Sequence, residues 1–207
     1  MKKALITAAF VLGAAAAAAE PLGTARTLVL PREGAAYGRA QHVPLPLAPG
    51  EVVITFDDGP RAESTPRVLA ALAAEGVKAT FFMLGQALER EPALARQVRD
   101  AGHTVALHSW AHPNLMQLKA DAQRADLDRA QQAFAAVFGA PPAAYRFPFL
   151  AVADDTLRLL CDARITVVSG DAGAEDLIPA PNAAALTERL MKSLASDRGG
   201  IVILHDV

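Results

Sequence analysis

The sequence predicts an α/β fold built on parallel strands, and two observations carry that reading. From Gly50 onward, short runs of β-branched and aromatic residues alternate with stretches of helical periodicity, the pattern that builds parallel sheets through helical crossovers. The ionisable residues best suited to chemistry also fall directly after those runs, where α/β folds keep their sites.

The elements follow in order. Val52-Val53-Ile54-Thr55-Phe56 is a strand of the fully buried kind. A helix comes next, with Thr65 as N-cap and Pro66 in first position; Val68, Leu69 and Leu72 share one face and Gly76 stops it. Val77 to Met83 is the second strand. Pro92 opens a helix carrying Leu94, Ala95 and Val98, closed by Gly102, and Thr104 to Leu107 is the third strand. A long helix over 118–138 presents Ala130, Phe134, Val137 and Phe138 at helical spacing before Gly139 ends it. Further strands are expected at 145–147, 165–168 and 201–204, with helices near 154–163 and 182–195. Six strands fit both an incomplete barrel and a doubly wound open sheet, and periodicity does not separate the two.

Ahead of the alternation lie two other segments. Lys2 and Lys3 precede the uncharged stretch Ala4 to Ala19, which ends in alanines before Glu20. A positive start, an apolar middle and a small-residue end predict a signal peptide over 1–19 and an exported protein, periplasmic or secreted. The stretch falls short of the ~20 strongly apolar residues of a membrane span, and no second one approaches it, so no stable insertion is expected after cleavage. Residues 20–50 carry Pro21, Pro31, Pro44, Pro46 and Pro49, which resist helix and ladder alike, so an extended lead-in is expected, with room to wrap the domain.

Charge narrows the partners. A formal net charge of −2, with no basic run, argues against nucleic acid and against a polybasic membrane surface. The single cysteine, Cys161, permits no intrachain disulfide and reads as a buried, inert thiol.

At the ends of the expected strands stand Asp57 and Asp58, then His108 and His112, then Arg146, and finally His205. Two acids, three histidines and an arginine therefore converge on one rim. His103 enters a strand from the opposite rim and His42 lies in the lead-in, so neither joins them. Two imidazoles four residues apart, plus one carboxylate, form a common ligand set for zinc or another divalent ion. Adjacent carboxylates repel one another, and a turn needs only one; with a cation present, one acid ligates and the other stays free as a base.

These residues resemble a known family. Thr55-Phe56-Asp57-Asp58-Gly59-Pro60, His108-Ser109-Trp110-Ala111-His112, Arg146-Phe147-Pro148-Phe149 and Leu204-His205-Asp206 are similar to the motifs of the polysaccharide deacetylases, carbohydrate esterase family four. The likeness spans 51–207, which it makes the catalytic domain. It implies a distorted, incomplete (β/α) barrel of parallel strands. It further implies that Asp58, His108 and His112 hold the metal, that Asp57 is the general base oriented by Arg146, and that His205 is the general acid. The backbone N–H of Phe149, after Pro148, would help hold the oxyanion, and Trp110, Phe147 and Phe149 could offer faces to a sugar. The metal would be zinc, with cobalt, nickel or manganese also accepted by such ligands. The substrate would be an N-acetylated glycan, peptidoglycan or chitin-like.

The sequence departs from the family pattern in three places. The fourth motif has Asp176 followed by Leu177 with Gly173 three residues before, which leaves Asp171 as the candidate partner of His205. Phe149 stands where tyrosine is common. The family also continues past its last motif with a further helix and strand, so a longer chain or a different closure is expected. Two other functions use the same residues: O-acetyl removal, as from xylan, and glycan binding without turnover. Phosphoryl transfer on an aspartate does not fit, since it needs the second acid two residues on.

Overall fold

In a computed structural model, which describes residues 22–179, 182–197 and 199–207, eight strands form one sheet. They are β1 (Ala36–Tyr37), β2 (Val52–Asp57), β3 (Thr80–Met83), β4 (Thr104–Leu107), β5 (Ala144–Tyr145), β6 (Thr166–Val168), β7 (Ala172–Gly173) and β8 (Gly200–His205). Every pairing is parallel, in the order β1-β6-β5-β4-β3-β2-β8-β7. The sheet curls into an incomplete barrel with β1 and β7 at its edges, which resolves the choice the periodicity left open. All six expected strands are present. The two extra ones hold two residues each, too few to show an alternation in sequence.

Among the described residues, six α-helices accompany the strands: α1 (Thr65–Ala74), α2 (Gly85–Arg90), α3 (Pro92–Asp100), α4 (Ala120–Phe138), α5 (Asp154–Asp162) and α6 (Ala183–Asp197). Leu94, Ala95 and Val98 are the buried stripe of α3, and Gly139 ends α4 in the left-handed conformation at φ 74°, both as the sequence predicts. Helix α1 starts one residue early. Ser64 is its flanking residue, while Thr65 lies inside the first turn with its hydroxyl accepting from the Arg61 N–H at 2.8 Å. Helix α2 carries no sequence signal, because its six residues begin at a glycine with no capping side chain. Glycine fits there because a Cβ at Gly85 would press on the Trp110 ring and the α4 backbone.

Side chains along the strands alternate between two apolar layers, as a period of two requires. Phe81 and Met83 of β3 join Leu88, Val98, Leu107, Phe134 and Leu160 beneath the helices. Phe82 points the other way, into a second layer with Leu45, Ala106, Val168 and Ile201. Leu28, Leu30 and Leu47 pack against that second layer, so the proline-rich segment lies against the domain and adds Leu45 to its core. The same segment supplies β1. Arg26 grips Glu51 through two nitrogens at 2.8 and 2.6 Å, and the Gly23 N–H donates to the Glu75 carbonyl at 2.8 Å. Cys161 is half-buried and its thiol donates to the Gly34 carbonyl at 3.1 Å.

No helix among the described residues is long and apolar enough to cross a membrane. The signal expected over 1–19 lies outside the described residues.

Replacing Leu45 tests the packed segment. Leu45→Ala should cost roughly 2–5 kcal/mol, read as a lower urea midpoint at unchanged slope, because it empties a core position. A loss under about 0.5 kcal/mol, the level of an exposed change such as Arg158→Ala, would show that the segment is not core.

Candidate active site

The carboxyl ends of β2, β4, β5 and β8 bring the acids, histidines and arginine of the four motifs together. Asp57 closes β2, with β8 as its neighbour, and the register places it opposite His205. Arg146 follows β5 and is fully buried. Its Nη1 donates to Asp57 Oδ1 at 2.6 Å and to Thr55 Oγ1 at 2.7 Å, while Nε and Nη2 reach the carbonyls of Val168 and Ser169. The guanidinium plane lies 4.0 Å from the centre of the Phe82 ring. Burial pushes the Asp57 carboxyl up, against the pull of Arg146 and His205.

Asp58, His108 and His112 form a trio whose candidate ligand atoms all lie within 4.8 Å of one another. Asp58 Oδ1 is 3.5 Å from Nε2 of each histidine. His108 Nδ1 lies 2.8 Å from the Arg146 carbonyl, which can only accept, so the ring carries its proton there and turns a bare Nε2 lone pair toward Asp58. Burial pushes the His108 imidazole down to about 3, which keeps it neutral, the form that ligates. Asp58 Oδ1 is buried with no hydrogen-bond donor. A lone pair facing an unpaired carboxylate oxygen is unfavourable without a cation, so these donors fit a divalent ion.

Non-glycine residues in the left-handed region concentrate in these loops: Asp58 at φ 74°, Ser109 at 68°, His112 at 59°, Phe149 at 56° and Leu150 at 54°. Such residues persist only where their surroundings hold them, and they gather at functional sites. The His112 N–H is held by the Ser109 hydroxyl at 2.9 Å.

His205 is gripped twice by one carboxylate. Its backbone N–H donates to Asp176 Oδ2 at 2.7 Å, and its Nδ1 lies 2.8 Å from Asp176 Oδ1. Burial alone would lower the imidazole, yet the bond and charge of Asp176, then Asp57 and Asp58, outweigh it, and the net shift is upward. Burial likewise works against the Asp176 charge, but its bonds to His205 win and its pKa falls.

The expectation for Asp171 is therefore corrected. Its two oxygens accept the backbone N–H groups of Arg39 and Ile201 at 2.9 and 2.8 Å, near the opposite end of β8. Ile201 and His205 are four residues apart in one strand, about 13 Å at the usual rise. Asp171 instead ties the segment after β1 to the start of β8. The register of β7 on β8, Gly173 opposite Ile203, carries the chain on to His205 by Glu175 and Asp176. That pairing was the missing signal, because a strand of two residues leaves no trace in periodicity.

The aromatic residues divide. Phe149 is 64% exposed, with its ring edge-on to His112 at 4.5 Å between centroids. Phe147 is 2% exposed and packs on Tyr145, so it offers no face to a ligand. Trp110 lies half-buried between α2 and α4. The Arg129 guanidinium sits 3.3 Å over its ring, Asp126 accepts its backbone N–H, and its indole N–H reaches Glu89 at 3.3 Å. One face of the ring is therefore covered by Arg129. Pro148 is buried at the start of the turn that carries Phe149. His103 is buried against the Ala79 N–H, away from the cluster, as expected.

A half-barrel bearing a held carboxylate, an acid-paired histidine and a cation-ready trio on one rim has the frame of a hydrolytic enzyme. Comparison with known proteins is specific. The profile of the polysaccharide deacetylase family matches residues 46–168, and the chain belongs to that family. A chitooligosaccharide deacetylase of Sinorhizobium fredii is 33% identical over 156 residues, 75% of this chain and 71% of that protein. A peptidoglycan-N-acetylglucosamine deacetylase of Bacillus cereus is 32% identical over 123 residues, 59% of this chain and 45% of that protein. This chain thus matches less than half the length of the Bacillus protein. A family 4 carbohydrate esterase from Streptomyces lividans, solved with acetate, superposes with a TM-score of 0.66 at 34% identity, covering 76% of this chain and 80% of its own.

The His205–Asp176 pair has a testable titration. A histidine raised above its unfolded value near 6.5 contributes stability in full below that value, and loses it as pH rises through the folded pKa. Asp176→Asn removes the largest raising influence, so the His205 resonance followed by NMR should titrate at lower pH than in the native chain. An unchanged midpoint would show that Asp176 does not set the charge of His205.

Proposed function

We propose that the chain is an exported, metal-dependent hydrolase that removes N-acetyl groups from the amino sugars of a glycan, peptidoglycan or chitin-like. The single observation that carries this reading is the Asp58–His108–His112 trio standing beside an Asp57 held by Arg146 and opposite His205. Family membership supports the reaction class, and the two named relatives support the choice of an N-acetylated sugar.

Amide hydrolysis needs a stronger nucleophile than water, a home for the oxyanion and a proton for the departing nitrogen. Asp58, His108 and His112 would hold the divalent ion, zinc by their chemistry, whose contribution when bound is to acidify water and polarise a carbonyl. Asp57 takes the proton of the attacking water. Arg146 fixes the direction of its Oδ1, leaving Oδ2 to face the site. The Phe149 N–H is the donor for the developing oxyanion. His205, whose protonated form Asp176 favours, hands its proton to the amine nitrogen as the C–N bond breaks. The N-terminal signal pattern supports action outside the cytoplasm, where such glycans lie.

Acetate release from N-acetylglucosamine oligomers, measured with and without added zinc, tests the reading. Zinc-dependent release is expected, and Asp57→Asn should lower it by about 10²–10⁴-fold without loss of zinc binding. Zinc bound with no release from these oligomers or from peptidoglycan, but release from O-acetylated xylan, would move the protein to the esters.

A further inference from the structure

A third acid lies against the turn that carries Asp57 and Asp58. Asp206 is 1% exposed, and three bonds fix it. Its N–H donates to the Asp57 carbonyl at 3.3 Å, its carbonyl accepts from the Ser64 hydroxyl at 2.7 Å, and its Oδ2 accepts from the Thr65 hydroxyl at 2.5 Å. Its Oδ1 is buried with no hydrogen-bond partner.

The carboxyl occupies the space a side chain on residue 59 would need. A Cβ built on Gly59 would collide with both Asp206 oxygens, while the Gly59 backbone is not among those at positive φ. Glycine is therefore required at position 59 by Asp206 and not by its own dihedrals. The neighbouring residue does carry strain, since Asp58 is an L-residue at φ 74°. Two backbone bonds hold the turn on the β3 side, from the Asp58 N–H to the Phe82 carbonyl and from the Leu84 N–H to the Gly59 carbonyl. On the opposite side stands Asp206.

We propose that Asp206 is a positioning residue, whose carboxyl fills the side-chain space of Gly59 and so holds the Asp57-Asp58 turn with both acids aimed into the site. The inference rests on the metal-dependent reading of the trio. An amide in its place would fill the same space and keep an oxygen able to accept from the Thr65 hydroxyl.

The test is zinc affinity of the full chain, measured by competition with a chromogenic chelator. Asp206→Ala should weaken binding by about 10- to 100-fold, the range for groups that support ligands, and lower kcat while KM holds. Asp206→Asn should restore most of the affinity, since its amide oxygen can accept from Thr65. Gly59→Ala alone should be at least as damaging, yet adding it to Asp206→Ala should cost nothing more, because the new methyl enters the emptied space. Circular dichroism on each variant checks that the fold persists. Native zinc affinity in Asp206→Ala, or losses that multiply in the double variant, would overturn the inference. Absence of zinc binding by the native chain would remove it together with the metal-dependent reading. Coupled zinc binding without acetate release from any glycan would support it and overturn the deacetylase reading alone.

Discussion

The rest of the site depends on one buried ion pair. Arg146 cannot shed its charge, and leaving it unpaired in the barrel interior would cost several kcal/mol. The fold answers with Asp57, the Thr55 hydroxyl and two carbonyls, which together engage Nε, Nη1 and Nη2. Those partners come from β2 and from the end of β6, so one side chain fixes the distance between two parts of the sheet. The Arg146 carbonyl also accepts from His108 and so sets which nitrogen of that ring carries the proton. Asp57 and one candidate ligand thus take their orientation from the same residue.

Around this pair the other charges are arranged in opposition. Asp57 is pushed toward its neutral form by burial and back by Arg146; His205 is pushed toward neutrality by burial and back by Asp176. Two buried titratable groups are therefore each balanced between desolvation and a fixed counter-charge, as perturbed groups at functional sites are. The loops that present them hold L-residues in the left-handed region, and side chains such as Ser109 and Asp206 hold those loops. Rigidity at the rim comes from many small constraints around the reacting groups.

Much of this was legible in the sequence because it is local. The strands at 52–57 and 104–107 and the α3 stripe announce themselves by periodicity, and a strand that ends in acids points to one rim. What stayed hidden depends on pairing between distant segments. The sequence points to Asp171 as the partner of His205; that Asp176 takes the place depends on the register of β7, a strand of two residues. That the leucines of the proline-rich segment pack on the inner layer depends on a curvature no periodicity encodes. Trp110 carries the same side chain whether it stacks on a sugar or under Arg129, and only the neighbouring helix decides.

The strand order has a consequence for assembly. Strand β2 sits between β3, which follows it closely, and β8, the last strand of the sheet in sequence; Thr55 bonds to Val202 across 147 residues. A chain emerging from a ribosome therefore exposes one bare edge of its central strand until the other strands of the sheet have appeared. Non-local parallel pairing of this kind is slow and open to association while it waits. Asp57 sits on that edge, and His205 and Asp206 arrive only with the strand that covers it. Chemistry and topological completion are thus the same event, and a nascent chain that has not finished folding has no assembled site with which to act.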